Sequence, residues 1–137
     1  MSAAGNPAGF TLIEVLVTLA IAGLISAIAF PSLERALRRQ AFLDASMRVE
    51  AVLRSARADA VGGGQAVRLR LSPDGHGLAD GDTVETVPDD LALRLPADGV
   101  AFFPDGSARG GDLTLAGAGM LRRWRVAGGT GRVERIQ

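Results

Sequence analysis

The chain opens on small residues and then runs apolar from Phe10 to Phe30, interrupted only by Thr11, Glu14, Thr18 and Ser26. Taken as helix at ~1.5 Å per residue, this run spans roughly 30 Å, the thickness of a bilayer's hydrocarbon core. A secretory signal peptide has a basic start, a shorter apolar stretch and a small-residue cleavage site after that stretch. Here a small polar leader, residues 1–9, precedes the run and Pro31 follows it. The pattern therefore predicts a retained membrane helix over residues 10–30.

Beyond Pro31 the pattern turns amphipathic. Leu33, Leu37, Ala41, Ala45, Val52, Ala56 and Ala60 recur at helical spacing, with Val49 and Leu53 flanking the stripe. Arg35, Arg38, Arg39, Asp44, Arg48, Glu50, Arg54, Arg57 and Asp59 fill the remainder and predict a solvated face. Because apolar periodicity resumes at once, Pro31 is expected to kink the helix rather than end it. Gly62-Gly63-Gly64 supplies the stop. Residues 10–61 would reach roughly 78 Å if helical throughout.

After the glycines the period becomes two. In Ala66-Val67-Arg68-Leu69-Arg70-Leu71 the apolar Val67, Leu69 and Leu71 share one face. Pro73-Asp74-Gly75, Pro88-Asp89-Asp90, Pro104-Asp105-Gly106 and Gly128-Gly129-Thr130-Gly131 read as turns. Between and after them, residues 83–87, 91–95, 100–103, 113–116, 122–126 and 132–136 read as strands. The predicted fold class is α+β, a long N-terminal helix on a small antiparallel sheet of about six or seven strands. A length of 137 residues leaves room for one small domain plus the anchor.

Composition narrows the chemistry. Formal net charge is zero, which implies no general attraction to nucleic acid or acidic membranes. All basic residues are Arg, and there is no Cys to form disulfides, thiol nucleophiles or Cys-based metal sites. Glu14 is the one charge inside the apolar run. At the centre of a bilayer an acid costs roughly 2.5–3.5 kcal/mol by insertion scales, and less one turn from the edge, where it can snorkel. No Lys or Arg lies in the run or the leader, so a cation for Glu14 has to come from elsewhere. A free α-amine at Phe10, created by cleavage after Gly9, would serve.

Gly9-Phe10-Thr11-Leu12-Ile13-Glu14-Val15-Leu16-Val17 resembles the processing site of type IV prepilins and type II secretion pseudopilins. The resemblance implies a type IV pilin-like fold, with cleavage by prepilin peptidase between Gly9 and Phe10 and N-methylation of Phe10. It implies that Glu14, fifth in the mature chain, pairs with the N-terminal amine of a neighbouring subunit and sets axial register during assembly. Pro31 falls where the family has a helix-bending proline. The implied layout is a leader over 1–9, a transmembrane half-helix over 10–30, an amphipathic half over 31–61 and a β-rich domain over 62–137. Arg35, Arg38 and Arg39 follow the run while the leader has no Lys or Arg, so the positive-inside rule alone would keep the domain in the cytoplasm. A cleavage signature that must face a cytoplasmic peptidase argues the reverse: a single pass through the inner membrane, with the domain in the periplasm.

Farther on, Phe102-Phe103-Pro104-Asp105-Gly106-Ser107, Leu113, Leu115, Trp124-Arg125-Val126 and Gly131-Arg132-Val133 resemble the C-terminal pattern of the minor pseudopilin H and FimT group. The implied function is a minor pseudopilin of a type II secretion system, with the major and other minor pseudopilins as partners. The alternative is a type IV pilus minor pilin of the FimT kind, acting in pilus assembly or DNA uptake; only there is nucleic acid a partner. A membrane-anchored periplasmic enzyme is the third possibility, and nothing in the sequence supports its catalysis. His76, between two glycines, reads as an exposed loop residue, and Asp74, Asp80 and Asp82 as turn formers without calcium-loop spacing. Gly128 to Gly131 lacks the Lys-Ser/Thr of a phosphate loop. Arg122, Arg123 and Arg125 around Trp124 would suit single-stranded nucleic acid, but alternation turns Trp124 inward. No catalytic, cofactor or metal site is expected.

Overall fold

A computed structural model describes residues 9–81 and 83–136; most of the leader, and Asp82, lie outside the described residues. Among the described residues one helix, α1 (Leu12–Gly63), is followed by nine strands: β1 (Val67–Leu71), β2 (Gly77–Asp80), β3 (Thr83–Thr86), β4 (Ala92–Arg94), β5 (Val100–Phe102), β6 (Ala108–Arg109), β7 (Asp112–Gly117), β8 (Met120–Val126) and β9 (Val133–Ile136). The chain divides into two compact units, Met1–Leu37 and Arg38–Gln137, so the boundary falls within α1. Helix residues from Arg38 onward belong with the strands.

All strand pairs are antiparallel, but they form two sheets rather than one. The first has the order β3-β2-β1-β5-β6 and the second β4-β7-β8-β9. β2 and β6 are additional to the strands expected from the pattern. β2 is Gly-Leu-Ala-Asp, without the β-branched and aromatic residues that mark a strand locally. It is held by backbone pairing on both sides, Leu71 with Leu78 and Leu78 with Glu85. β6 has two residues, paired with β5.

The helix continues through Pro31, which has no N–H to donate, and ends at Gly63. Gly64 then takes φ +66°, a left-handed conformation that glycine adopts without Cβ strain. In the second unit α1 buries Phe42, Ala45, Ser46, Val49, Leu53, Ala56 and Ala60. Spacings of three and four make this a seam, rotated from the predicted stripe. Phe42 and Ser46 join it, Val49 and Leu53 lie at its centre, and Ala41 and Val52 are half-buried at its flank. Alanine suits either face, so bulky Phe42 fixes the rotation. The seam meets Leu69, Leu78, Val100 and Phe102 of the first sheet and Leu93, Leu113, Leu115, Trp124 and Val126 of the second in one apolar core. The small residues Ala45, Ser46, Ala56 and Ala60 leave room for these larger side chains.

Two helix residues read as solvated are structural. The Glu50 carboxylate accepts hydrogen bonds from Trp124 Nε1 at 3.3 Å, Arg135 Nη2 at 2.7 Å and Arg54 Nη2 at 2.6 Å. It therefore ties α1 to β8 and β9 and satisfies the indole N–H of a fully buried ring. Arg57 Nη2 donates to the Thr130 carbonyl at 3.1 Å, pinning the β8–β9 turn. In that turn Gly131 has φ +60°, and a Cβ there would press on the Gly106 carbonyl and the Arg57 side chain.

The hydrogen bond from Arg135 holds the Glu50 carboxyl below its ordinary value of 4.5, more than burial raises it. A carboxyl lowered by folding binds its proton more readily in the unfolded chain. Its stabilisation is thus full above the ordinary value and is lost as pH falls through the folded value. Glu50→Ala also strands the Trp124 N–H, and the expected loss is about 2 kcal/mol at neutral pH. Trp124 is the only Trp, so its fluorescence can follow unfolding of the detergent-solubilised chain. The gap between wild type and variant should narrow from pH 7 to pH 3; a constant gap would mean that the charge of Glu50 contributes nothing.

Candidate functional site

The N-terminal unit presents its chemistry at the start of α1. Gly9 and Phe10 precede the helix outside any regular element, with Phe10 82% exposed. Thr11 caps it: its carbonyl accepts the N–H groups of Glu14 at 3.1 Å and Val15 at 3.2 Å, and its Oγ1 lies 3.3 Å from the Glu14 N–H. Thr11-Leu12-Ile13-Glu14 has capping-box spacing, a hydroxyl at the cap and an acid three residues on. That spacing was readable in the sequence, and it supplies a local reason for an acid here, favoured by the positive end of the helix dipole. Gly9 is different. A Cβ at Gly9 would meet nothing within 4 Å, and its φ lies outside the left-handed region. Folding thus places no demand for glycine at this position.

Around Glu14 the helix surface is apolar and uncovered among the described residues. Leu12, Ile13, Val15, Leu16, Val17, Leu19, Ile21, Leu24, Ile25, Ile28 and Phe30 are all exposed. The helix is long and apolar enough to cross a membrane. Its few polar side chains bond inward: Thr18 Oγ1 donates to the Glu14 carbonyl and Ser26 Oγ to the Ala22 carbonyl, each at 2.7 Å. Such back-bonding satisfies hydroxyls that an apolar surrounding cannot. The Glu14 carboxylate has no ion pair among the described residues. It is therefore an acceptor open to a cation from another chain.

The remaining candidates are dispersed over the second unit. Asp74 Oδ1 accepts from Ser72 Oγ and from the His76 N–H, closing the turn; the Ser72 bond is the leading cause of the lowered carboxyl pKa. His76 is half-buried rather than exposed, and its Nδ1 is buried without a hydrogen-bond partner among the described residues. Asp80 pairs with Leu69 and Thr83 within its sheet, away from that turn. No group of three metal-ligating side chains converges among the described residues. Trp124 is fully buried. Arg125 faces the other way and holds Asp112 through two hydrogen bonds, at 2.8 and 3.0 Å. Arg122 and Arg123, with Leu121, Arg135 and Ile136, line a shallow recess of about 370 Å³.

The C-terminal pattern proves to be core and turn. Phe102, Leu113, Leu115 and Trp124 are buried, and Asp105 Oδ1 accepts from the N–H and hydroxyl of Ser107, closing the Pro-Asp-Gly turn.

The helix start is also where the chain matches a known family. The family model described as the prokaryotic N-terminal methylation motif matches residues 5–30, which contain Gly9, Phe10, Glu14 and the apolar run. No curated protein and no solved structure matches the chain. The motif supports a type IV pilin-like protein anchored in a membrane, processed by a prepilin peptidase and assembled into a pilus-like filament.

Proposed function

We propose that the chain is a minor pseudopilin of a type II protein secretion system, a structural subunit of a periplasmic pseudopilus that helps export folded proteins. The observation that carries this reading is the bare apolar helix opening at Gly9-Phe10, with Glu14 as the lone acid of its run. Peptidase removes residues 1–9 and methylates Phe10, and the helix waits in the inner membrane with its domain in the periplasm. Lipid and neighbouring helices are both acceptable surroundings for one apolar surface. On entry into the filament Glu14 pairs with the N-terminal amine of an adjacent subunit. A register that leaves the carboxylate unpaired among apolar helices costs roughly 3–5 kcal/mol, which selects the paired register. The chain carries out no catalytic step; its work is assembly.

The resemblance of residues 102–133 to the minor pseudopilin H and FimT group supports the subgroup. Zero net charge and the lack of Cys favour secretion over a pilus. The type IV minor pilin reading draws on one observation, the exposed guanidinium of Arg123 beside Arg122 on β8. DNA binding that weakens steeply with salt and is lost in Arg122→Ala/Arg123→Ala would favour it.

Because a Cβ at Gly9 meets nothing within 4 Å among the described residues, Gly9→Leu should fold and insert normally but remain uncut. Intact-mass measurement should find residues 1–9 retained and Phe10 unmethylated; normal maturation of this variant rules out the proposed cleavage site. Glu14→Ala should be cut and inserted as wild type, yet enter filaments at least about ten-fold less well, because the neighbouring N-terminal amine is left without its counter-charge. Equal incorporation in a complementation assay removes Glu14 from the assembly mechanism. Deleting the chain from its host should retain folded exoproteins in the periplasm while piliation and DNA uptake continue. Intact secretion with lost uptake selects the pilus reading instead.

A further inference from the structure

The outward face of the first sheet gathers arginines around a hollow. Strand register sets Arg68, Ala101 and Arg109 in one row across β1, β5 and β6. Arg70, two residues along β1, shares their face, while Leu69 between the two points into the core. Ala101 is only 6% exposed, covered by the long stems that flank it. The charged heads stand around a recess of about 450 Å³, lined also by Ala97 and Asp98. None of the three arginines has an ion pair or side-chain hydrogen bond among the described residues, whereas Arg48, Arg54, Arg125 and Arg135 each meet a carboxylate.

Backbone features on both sides hold this arrangement. The Pro96 carbonyl accepts the Gly99 N–H at 2.8 Å, closing a turn that carries Ala97 and Asp98. Gly99 has φ +73°, and a Cβ there would collide with the Leu69 carbonyl and sit 3.3 Å from Arg70 Cγ. Glycine therefore lets the turn close directly against β1 beside Arg70. On the far side the Ala108 N–H donates to the Gly128 carbonyl at 2.7 Å, fixing the two-residue strand that carries Arg109. Arg68 and Arg70 stand roughly 6.7 Å apart along β1, and Arg109 lies two strands away, roughly 9–10 Å from Arg68. Cations so placed repel one another, and an anion seated between them relieves that cost.

We propose that this recess binds a phosphate monoester carried on a body the size of a sugar. Three guanidinium groups against one carboxylate leave an excess of two positive charges, which a phosphate monoester, at about −1.5 to −2, neutralises. Its three terminal oxygens offer each guanidinium an acceptor, in the forked geometry that arginine and phosphate share. A volume of about 450 Å³ lies within the roughly 300–1,000 Å³ of small-molecule sites and leaves space beyond one phosphate. Ala97 and Ala101 give carbon an apolar seat, and Asp98 can accept from a hydroxyl. Asp98 also repels a polyanion drawn across the rim, and no aromatic ring lines the recess, which disfavours a nucleic acid held by base stacking. The site goes beyond the secretion reading and does not depend on it.

Isothermal titration calorimetry of the full-length chain in detergent, with glucose 6-phosphate, glucose and inorganic phosphate as probes, tests the site. Glucose 6-phosphate should bind saturably, and at least about ten-fold more tightly than either of the other two. Arg68→Gln/Arg70→Gln should weaken it at least about ten-fold. Arg122→Gln/Arg123→Gln, the same loss of charge on β8, should leave it unchanged. Asp98→Ala should remove the preference for glucose 6-phosphate over inorganic phosphate. Unchanged Trp124 fluorescence confirms that each variant is folded. Phosphatidic acid in nanodiscs presents the same phosphate chemistry on a lipid: competition with glucose 6-phosphate there assigns the site to a headgroup, and undiminished binding assigns it to a free ligand. Absence of saturable binding, equal weakening by the β8 pair, a preference that survives Asp98→Ala, or tighter binding of a single-stranded oligonucleotide through Arg68 and Arg70 overturns the proposal. Each readout is binding to the isolated chain, so its failure leaves the secretion reading standing, and failure of the secretion assay leaves the site standing.

Discussion

A helix surface as apolar as residues 12–30 cannot face water, and nothing among the described residues covers it. Each part of the N-terminal unit is arranged around that demand for an outside partner. Beyond the first turn helical bonding closes the backbone groups, save where Pro31 brings no N–H, and the hydroxyls of Thr18 and Ser26 fold back onto carbonyls. Thr11 caps the first turn. What remains unsatisfied is the apolar surface itself and a single carboxylate. The first accepts lipid or other helices without discrimination. The second is selective in kind, because a carboxylate in apolar surroundings calls for a cation.

The second unit answers a different question with the same helix. From Arg38 on, α1 has partners of its own, and a seam from Phe42 to Ala60 lies under two sheets that it joins into one core. Glu50 strengthens the joint by holding β8 through the indole N–H of Trp124 and β9 through Arg135. A carboxylate with these bonds keeps the C-terminal half of the helix and the second sheet in one fixed relation.

Much of this was legible in the chain. The helix was expected over residues 10–61 and runs over Leu12–Gly63; seven of nine strands announced themselves by alternation and turn chemistry. The inward face of Trp124 followed from period two alone. Local pattern failed where distant pairing decides. Glu50 looks solvated in its own helix because its partners lie 74 and 85 residues away. The split into two sheets depends on β1 pairing with β5, which no short window contains. The rotated seam shows the limit of alanine as a signal, since it fits inside or out. At the helix start the acid could be read from spacing, whereas the indifference of Gly9 to its surroundings could be seen only in three dimensions.

The self-contained bonding of the anchor bears on reversibility. A rod whose polar atoms, the Glu14 carboxylate apart, answer to one another keeps the same internal bonds in lipid and in a bundle. Moving between them is then a change of neighbours rather than a refolding event.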